Sequence, residues 1–339
     1  MLLVTGGAGF IGANFVQHHG CQSQEAMVVL DKLTYASNPS TIQSLIQSKQ
    51  ITFVQGDIAD SDLVGQLLAK YRPRAVVHFA AETHVDRSIA NPHDFVQTNL
   101  VGTFQLLEAT RCYWQTLSEQ EKNEFRFLHI STDEVYGSLS DTDLPFTEST
   151  PYAPNSPYSA SKAGSDHLVR AYHHTYGLPT LITHCSNNYG PYQFPEKLIP
   201  LMITNALAEK PLPIYGDGTH VRDWLFVVDH CRALMVVLAK GRPGESYNIG
   251  GHCELTNLQM VTLICQRLDM LKPKQQGSYA QQIVFVTDRL GHDKRYAIDT
   301  TKLTKATGWR PLETMDTGLT KTIQWYLQNN MRVAQHDYA

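Results

Sequence analysis

The sequence begins with an apolar run that leads directly into a glycine-rich turn, and this feature limits the possible folds more than any other. Residues 2–4 are apolar and lead into Thr5, glycines follow at positions 6, 9 and 12, and residues near 12–19 have a helical pattern. Glycines with this spacing let the backbone turn tightly and approach a pyrophosphate, which the free N–H groups of a helix N-terminus bind. A glycine triplet alone is a weak signal, but strand, turn and helix in this order predict a dinucleotide site.

Short apolar runs alternate with helical segments through the first half of the chain. This alternation predicts an α/β fold, a Rossmann-like doubly wound parallel sheet with helices on both faces. The predicted strands are residues 2–5, 27–30, 51–54, 75–79, 125–130 and 181–185, and the predicted helices lie near 12–19, 61–71, 94–111 and 157–176. Asp60 is a candidate N-cap for the second helix.

The pattern loosens after residue 185, where prolines and glycines punctuate residues 187–218. Later segments predict strands at 224–228 and 247–249 and helices near 229–240, 255–270 and 316–328. We therefore expect a smaller α/β substrate-binding domain beside the sheet. The predicted division is 1–186 for the dinucleotide-binding domain, with segments near 221–250 returning to it, 187–220 and 251–330 for the substrate domain, and 331–339 for a tail.

Composition argues against several classes of function. A net charge of -4 and the lack of a long basic run disfavour nucleic-acid binding. The six cysteines show no zinc or redox spacing, and the adjacent histidine pairs on predicted helices point apart, so no metal is expected. The sequence has no basic leader and no apolar run of membrane-spanning length, so we expect no membrane segment and a cytoplasmic location.

Polar residues at the ends of the predicted strands extend the dinucleotide site. Asp31 follows the second strand, where a carboxylate accepts hydrogen bonds from a ribose and disfavours a 2′-phosphate, which indicates NAD rather than NADP. Lys32 beside it leaves NADP as an alternative. The predicted NAD contacts are Gly6, Gly9, Phe10, Ile11, Gly12, Asp31, Lys32, Leu33, Thr34, Asp57, Ile58, Ala80, Ala81, Glu82, Thr98, Tyr158, Lys162 and Asn188.

Tyr158 and Lys162 lie four residues apart on a predicted helix and so share one face. A free phenol, with a pKa of about 10, is a poor base at neutral pH. A nearby ammonium together with a positive nicotinamide favours the phenolate and makes Tyr158 a competent base. Such a pair is usually a solvated helix face, but the dinucleotide pattern upstream favours a catalytic role.

Five further motifs resemble those of one enzyme family. They are Ser-Thr-Asp-Glu-Val-Tyr-Gly at 131–137, Ser-Asn-Asn-Tyr-Gly-Pro at 186–191, Phe-Pro-Glu-Lys-Leu-Ile-Pro at 194–200, Arg-Asp-Trp at 222–224 and Arg-Tyr-Ala-Ile-Asp at 295–299. With the glycine turn they cover nearly the whole chain. The sequence resembles the extended short-chain dehydrogenase/reductases and, among them, the dTDP-glucose 4,6-dehydratases.

The resemblance implies dehydration of dTDP-glucose to dTDP-4-keto-6-deoxyglucose. Transient oxidation of C4 by NAD⁺, with Tyr158 as base and Lys162 beside it, would acidify the hydrogen on C5. By resemblance, Glu134 removes that proton, Asp133 protonates the departing 6-hydroxyl and Thr132 hydrogen-bonds O4, after which the hydride returns to C6. Two adjacent carboxyl groups with opposite protonation states need environments that separate their pKa values. Without this context, the pair would be an exposed turn after a strand.

The substrate contacts rest mainly on the resemblance. Arg222 suits a diphosphate because its planar fork binds phosphate oxygens in pairs, although an ion pair with Asp223 is the alternative. Leu290 stands where the family usually has proline, and this difference would loosen the loop at residues 288–292 that meets the diphosphate. The predicted substrate contacts are His84, Thr132, Asn187, Lys197, Leu198, Pro213, Ile214, Tyr215, Arg222, Asn257, Asp288 and His292.

Related activities stay open at this stage. A 4-epimerase needs no acid–base pair for elimination, and decarboxylases and GDP-mannose-type dehydratases usually carry serine at the position of Asp133. A protein that only senses NAD would have lost one of Tyr158, Lys162, Asp133 or Glu134. No residue specifies the base, so UDP-, GDP- and CDP-hexoses remain alternatives to dTDP-glucose. Family analogy implies a homodimer through the helices near 94–111 and 157–176.

Overall fold

A seven-stranded parallel sheet forms the centre of the computed structural model, which describes residues 1–23 and 25–333, with side chains up to residue 329. The strand order is β10-β6-β5-β4-β1-β2-β3, and the predicted doubly wound α/β fold is confirmed. The strands are β1 (Leu2–Thr5), β2 (Met27–Asp31), β3 (Ile51–Gln55), β4 (Ala75–His78), β5 (Arg126–Thr132), β6 (Thr180–Cys185) and β10 (Ser246–Ile249).

Both faces of this sheet are buried because alternate residues of each strand point to opposite sides. In β1, Leu2 and Val4 enter one apolar core and Leu3 enters the other. The first core is covered by α1 (Phe10–Gln22) and α10 (Val227–Lys240), and the second by α3 (Ser61–Tyr71), α6 (Thr103–Gln115) and α8 (Pro157–Tyr176). This double cover explains why the predicted strands read as nearly continuous apolar runs.

The chain reverses its direction of travel across the sheet between β1 and β4. It moves outward from β1 through β2 to β3, and then returns to place β4 on the other side of β1. The connections at the carboxyl ends of β1 and β4 therefore diverge and leave a crevice, where open α/β sheets bind their ligands.

Local sequence fixes several helix ends near this crevice. Asp60 accepts a hydrogen bond from the Leu63 N–H at 3.0 Å, which confirms the predicted cap of α3. Ser156 and Ser159 form a capping box at the start of α8, with Pro157 in the first turn. The start of the helix that carries Tyr158 and Lys162 is thus strongly specified.

The predicted long helix near 94–111 is divided. α5 (His93–Phe95) leads into a π-helical turn at Val96–Gly102, and α6 follows. Within the π turn, Asn99 bonds both backbone groups of Glu82, at 2.8 Å and 3.0 Å. The wider turn, a feature common at functional sites, therefore holds the loop after β4.

The second half of the chain builds a separate apolar core around two small sheets. One has the order β11-β9-β7 and the other pairs β12 with β8. These strands are β7 (Asn187–Tyr189), β8 (Leu212–Tyr215), β9 (Val221–Phe226), β11 (Glu254–Thr256) and β12 (Ile283–Val286). The helices of this half are α9 (Leu198–Leu207), α11 (Asn257–Leu271), α12 (Thr301–Thr307) and α13 (Met315–Val333). Three short helices, α2 (Gln43–Gln47), α4 (Val85–Ala90) and α7 (Glu119–Glu124), lie in the first half.

Two sequence predictions in this half were wrong in detail. The strand predicted at 224–228 ends at Phe226, because α10 begins at Val227. The stretch predicted only as punctuated by proline and glycine contains α9, whose Pro200 lies in the first turn, where a helix needs no N–H donor.

The two-domain division stays our proposal. β10 completes the large sheet, while β9 belongs to the β11-β9-β7 sheet. Val333 ends α13, inside the predicted tail, and residues 334–339 lie outside the described residues. In the described part of the chain, no helix has the length and apolar character needed to cross a membrane.

Gly12→Ala tests the close backbone packing at the glycine turn. A Cβ at Gly12 would lie 2.2 Å from the Gly6 carbonyl oxygen, so the turn must deform. We expect unfolding in urea to show a loss of about 1–3 kcal/mol, as overpacking usually gives, together with weaker NAD binding. Gly65→Ala on α3 is the control, because a Cβ there meets nothing within 4 Å, and it should stabilise by up to about 1 kcal/mol. Equal stability of the two variants would contradict the packing argument.

Candidate active site

One cavity occupies the carboxyl edge of the large sheet. It extends from the glycine turn to the residues that follow β5 and β6. Its lining residues are Gly6, Gly9, Phe10, Ile11, Gly12, Leu30, Asp31, Lys32, Thr34, Ala36, Ser37, Gly56, Asp57, Ile58, Phe79, Ala80, Ala81, Glu82, Thr83, Thr98, Ile130, Ser131, Thr132, Asp133, Glu134, Tyr158, Lys162, Cys185, Ser186, Asn187, Asn188, Gln193, Phe194 and Lys197. Every predicted cofactor contact except Leu33 is therefore part of its wall.

The glycine turn presents bare backbone to this cavity. Gly6 has φ +70°, and a Cβ there would lie 2.5 Å from the Ala80 nitrogen. Gly9 is the N-cap of α1, where no side chain caps the helix and no acidic residue lies in the first turn. The first N–H groups of α1 and the positive end of its dipole are therefore available to a diphosphate. This arrangement fits the pyrophosphate of NAD.

Asp31 braces the wall that would face the adenosine ribose. Its Oδ2 accepts from the Ala8 N–H at 2.9 Å, and its Oδ1 accepts from Leu33 N–H and Ser37 Oγ, each at 2.8 Å. Leu33 thus contributes a backbone bond to Asp31 rather than a cavity surface. The carboxylate keeps further lone pairs, and its contact with a ribose hydroxyl stays a prediction.

Lys32, the residue that left NADP open, has a partner. Its Nζ lies 2.7 Å from Asp57 Oδ2. Burial raises the pKa of Asp57, but bonds from the Ala59 N–H and Lys32 outweigh it and hold the pKa below its usual value. The ion pair therefore neutralises Lys32, the residue whose charge would favour the 2′-phosphate of NADP.

Lys162 is buried, and its ammonium is directed toward the sheet. Its Nζ donates to the Ile130 carbonyl at 2.8 Å and lies 3.4 Å from His129 Nε2. Burial lowers the pKa of Lys162 to about 8, against the opposing charge of Asp166. The pKa of the buried Tyr158 phenol is raised well above its usual value by burial and Glu134, while a bond with Thr132 lowers it. The expected effect of the ammonium on the phenol stays a prediction.

Thr132, Asp133 and Glu134 lie where β5 passes into a 3₁₀ turn at Asp133–Tyr136. The Thr132 hydroxyl donates to Asp133 Oδ1 at 3.4 Å and accepts from the Glu134 N–H at 3.3 Å. Asp133 is only 2% exposed, and its Oδ2 has no hydrogen-bond partner among the described residues. Burial and the neighbouring Glu134 and Asp223 raise the pKa of Asp133 well above its usual value.

The pKa of Glu134 is also raised by burial, but two cations oppose this shift. Arg222 and Lys197 are the largest opposing influences. Arg222 also lowers the pKa of Asp133, but Glu134 and Asp223 raise it by more. The environments therefore separate the two carboxyl groups, with Asp133 favoured as the acid and Glu134 as the carboxylate.

The predicted substrate contacts divide into three groups. Thr132, Asn187 and Lys197 line the cavity. His84 and Leu198 are outside the lining and directly follow the lining residues Thr83 and Lys197 in the chain: His84 caps α4 and is 3.5 Å from Glu196, and Leu198 begins α9. The remaining residues lie on or beside the smaller sheets: Pro213, Ile214, Tyr215, Arg222, Asn257, Asp288 and His292.

Arg222 already has partners in the loop that follows β12. Its guanidinium donates to the carbonyls of Val221 at 2.7 Å and Asp293 at 3.0 Å, and lies over the Tyr296 ring. Asp223 accepts from the N–H groups of Gly251 and Cys253, so its partners differ from the ion pair considered from the sequence. Arg222 therefore shapes the loop, and its contact with a diphosphate stays a prediction.

One group in the described part of the chain has the composition of a metal site. Ligand atoms of His220, Asp288 and His292 lie within 4.8 Å of one another. The two imidazole rings are stacked at 3.6 Å and are nearly parallel. Their in-plane lone pairs therefore do not converge on one ion, and the absence of a metal stays a prediction.

Several cavity residues were missed by sequence reasoning. Ser37, Cys185, Gln193 and Phe194 all line the cavity, and Ser37 also donates to Asp31. Cys185 was detectable, because it lies at the end of a predicted strand. Gln193 and Phe194 carried no such signal, because only the return of the chain from the smaller sheets brings them to the cavity.

Comparisons with known proteins agree over nearly the whole chain. Residues 3–322 match the family model for GDP-mannose 4,6 dehydratase. The dTDP-glucose 4,6-dehydratase of Xanthomonas campestris pv. campestris strain B100 is 60% identical over 329 residues, which cover 96% of this chain and 93% of that protein. The dTDP-glucose 4,6-dehydratase 1 of Escherichia coli K12 is 56% identical and covers 97% and 93%.

Solved structures give the same result at the level of the fold. DesIV, the dTDP-glucose 4,6-dehydratase of Streptomyces venezuelae crystallised with NAD and TYD, has a TM-score of 0.90 and 45% identity, covering 99% of both chains. The UDP-glucose 4-epimerase of Thermotoga maritima has a TM-score of 0.84 and 26% identity, covering 97% of this chain and 99% of that one. The fold is thus shared with epimerases, and sequence similarity is greater to dehydratases.

Asp57→Asn tests the pairing of Lys32. Loss of the carboxylate frees the ammonium to meet a 2′-phosphate, so we expect the affinity for NADP relative to NAD to rise by up to about tenfold, or about 1.4 kcal/mol. Equilibrium titration with each cofactor measures the ratio. The Lys32→Ala/Asp57→Asn double variant is the control and should show no gain. An unchanged ratio in Asp57→Asn would contradict the role given to the pair.

Proposed function

Because this chain belongs to the dTDP-glucose 4,6-dehydratase family, we propose that its cavity converts dTDP-glucose to dTDP-4-keto-6-deoxyglucose with NAD. The observation that carries the proposal is the position of Asp133 and Glu134. The two carboxyl groups are adjacent on the cavity wall that also holds Thr132 and Tyr158. Elimination of water from a keto sugar needs a base and an acid on one substrate, and this wall offers both.

Each residue has a role that its surroundings support. Bound NAD⁺ supplies the hydride acceptor for C4 and, once reduced, the hydride donor for C6. Tyr158 takes the proton of the C4 hydroxyl, and Thr132 holds O4. Glu134, whose charge Arg222 and Lys197 favour, removes the C5 proton and returns it to C5 when the hydride adds to C6. Asp133, whose pKa burial and Glu134 raise, gives its proton to the departing 6-hydroxyl.

The geometry favours Asp133 over Glu134 as the acid for a second reason. Asp133 Oδ2 is buried without a hydrogen-bond partner among the described residues. An ionised oxygen in that position would be costly, whereas a protonated one can donate to a substrate hydroxyl. A 4-epimerase has no use for such a group, which separates the two activities on one fold.

The direct test is incubation of the purified protein with dTDP-glucose and NAD, followed by mass spectrometry of the sugar nucleotide. We expect the loss of one water without net formation of NADH. UDP-, GDP- and CDP-glucose, tested in parallel, measure the preference for the base. A sugar nucleotide of unchanged mass that has become an epimer would replace the dehydratase proposal with epimerisation.

Asp133→Asn should slow the elimination more than the oxidation at C4. The amide cannot donate a proton to the leaving oxygen, so we expect turnover to fall by about 10²–10⁴-fold, the usual contribution of a general acid. Enzyme-bound NADH should then accumulate, visible by its absorbance in stopped flow. Cys185→Ser, which changes another cavity residue without a role in proton transfer, is the control. Wild-type kinetics in Asp133→Asn would remove Asp133 from this role.

We also propose that the protein is a homodimer, with the helices after β4 and α8 at the interface. Apolar side chains on these helices are unusually exposed: Ile89 by 40%, Val96 by 42%, Phe104 by 39% and Tyr176 by 47%. Light scattering after gel filtration measures the mass, and twice the chain mass supports the proposal. The cytoplasmic location predicted from the sequence stays a prediction.

A further inference from the structure

Beneath Tyr158 and Lys162 lies a buried polar cluster that the proposed reaction does not use. Asp166 continues the same face of α8, four residues after Lys162 and eight after Tyr158. It is 1% exposed, and Lys162 is 4% exposed. Two opposite charges therefore lie one helical turn apart inside the protein, away from water.

Asp166 is held by side chains from the two neighbouring strands. Ser131 Oγ donates to its Oδ2 at 2.8 Å, and His184 Nε2 lies 3.2 Å from the same oxygen. His129 Nε2 lies 3.1 Å from Oδ1. Burial raises the pKa of Asp166, but the bonds of His129 and His184 outweigh it and hold the pKa well below its usual value. The carboxylate is therefore ionised and fixed.

His129 lies between this carboxylate and the ammonium, and its neutral imidazole bonds only one of them through Nε2 at a time. Its Nε2 is 3.4 Å from Lys162 Nζ as well as 3.1 Å from Asp166. Burial and Lys162 lower the pKa of His129 to about 4, so the imidazole is neutral at physiological pH. Of Lys162 and His129, it is therefore Lys162 that carries a positive charge, and Asp166 carries the negative charge.

Other titratable groups face the pair from each packed element, and none replaces Asp166. They are His78 from β4, His129 from β5, His184 and Cys185 from β6, Tyr158 from α8, and Tyr136 and Tyr152 from the segment after β5. Burial and Lys162 keep the pKa of His78 low, and burial raises the pKa values of Cys185, Tyr136 and Tyr152, so these groups are neutral. A buried ammonium without a counter-charge loses its proton.

We propose that Asp166 is a positioning residue for the dehydratase reaction: its fixed carboxylate is the buried counter-charge that keeps Lys162 protonated and held against β5. The catalytic consequence of this inference rests on the proposed function. The pairing of the Lys162 and Asp166 charges does not depend on that function. Without Asp166, Lys162 loses its proton at lower pH, and the ammonium next to Tyr158 and the cofactor ribose is lost.

The first test is the pH profile of Asp166→Asn. Loss of the counter-charge lowers the pKa of Lys162, so the alkaline fall of kcat/KM should move to lower pH by about one unit or more. Activity near pH 6 should be affected least, because Lys162 is protonated there. Tyr136→Phe is the matched control: it removes a hydroxyl that bonds His184 and Asn248 at the far end of the cluster. It should keep the wild-type alkaline limb. A loss of activity by the same factor at every pH would overturn the proposal.

The second test is a stability cycle that needs no substrate. Melting temperatures at about pH 6 are compared for Asp166→Asn, Lys162→Met and the double variant. An isolated ammonium destabilises the fold below its own pKa, so the double variant should melt higher than Asp166→Asn, and this gap should shrink as pH rises toward 8 and Lys162 loses its proton. Strictly additive losses would overturn the charge pairing.

The two tests also cover poor folding and failure of the proposed function. If Asp166→Asn does not fold but the double variant does, the pair is supported. If neither folds while Lys162→Met does, Asp166 is needed irrespective of Lys162, and the proposal fails. Because melting temperatures do not depend on turnover, a protein that lacks dehydratase activity can still show the cycle, and an active dehydratase can still fail it.

Discussion

The reversal of chain direction between β1 and β4 is the constraint on which the rest of the site depends. Parallel strands end at one edge, and their connections diverge only where the winding changes direction. Gly6 lies against Ala80 at this point, so the two strand ends approach at backbone distance. A side chain in that turn would close the crevice that the dinucleotide needs. The site is thus a consequence of topology before it is a consequence of any polar residue.

The polar side chains of the site extend from this edge of the sheet into the protein core. The cavity wall carries Thr132, Asp133 and Glu134 from the end of β5, and Tyr158 and Lys162 from α8. Below them, Asp166 joins side chains of β5 and β6. Burial raises the pKa values of the acids and lowers that of Lys162, so charge balance inside the protein decides which groups are ionised. Stability and catalysis therefore depend on the same buried groups.

The sequence predicted the features that depend on residues close together in the chain. The glycine turn, the cap at Asp60 and the start of α8 follow from short-range chemistry, and the structure agrees at each. Helix α9 was missed because Pro200 resembles a break when its place in the first turn is unknown. The π turn at Val96–Gly102 left no recognisable pattern, and its Asn99 bonds Glu82, which lies 17 residues earlier in the chain.

The sequence by itself determined the parallel α/β fold, the dinucleotide turn, the catalytic candidates and the family resemblance, because each depends on residue types at fixed local spacing. Only the tertiary structure decided that Lys32 pairs with Asp57, that Arg222 holds the loop after β12, and that His129 and His184 converge on Asp166. These contacts join residues far apart in the chain. Their partners are chosen by how strands and helices pack, and by the requirement that each buried charge meet its opposite.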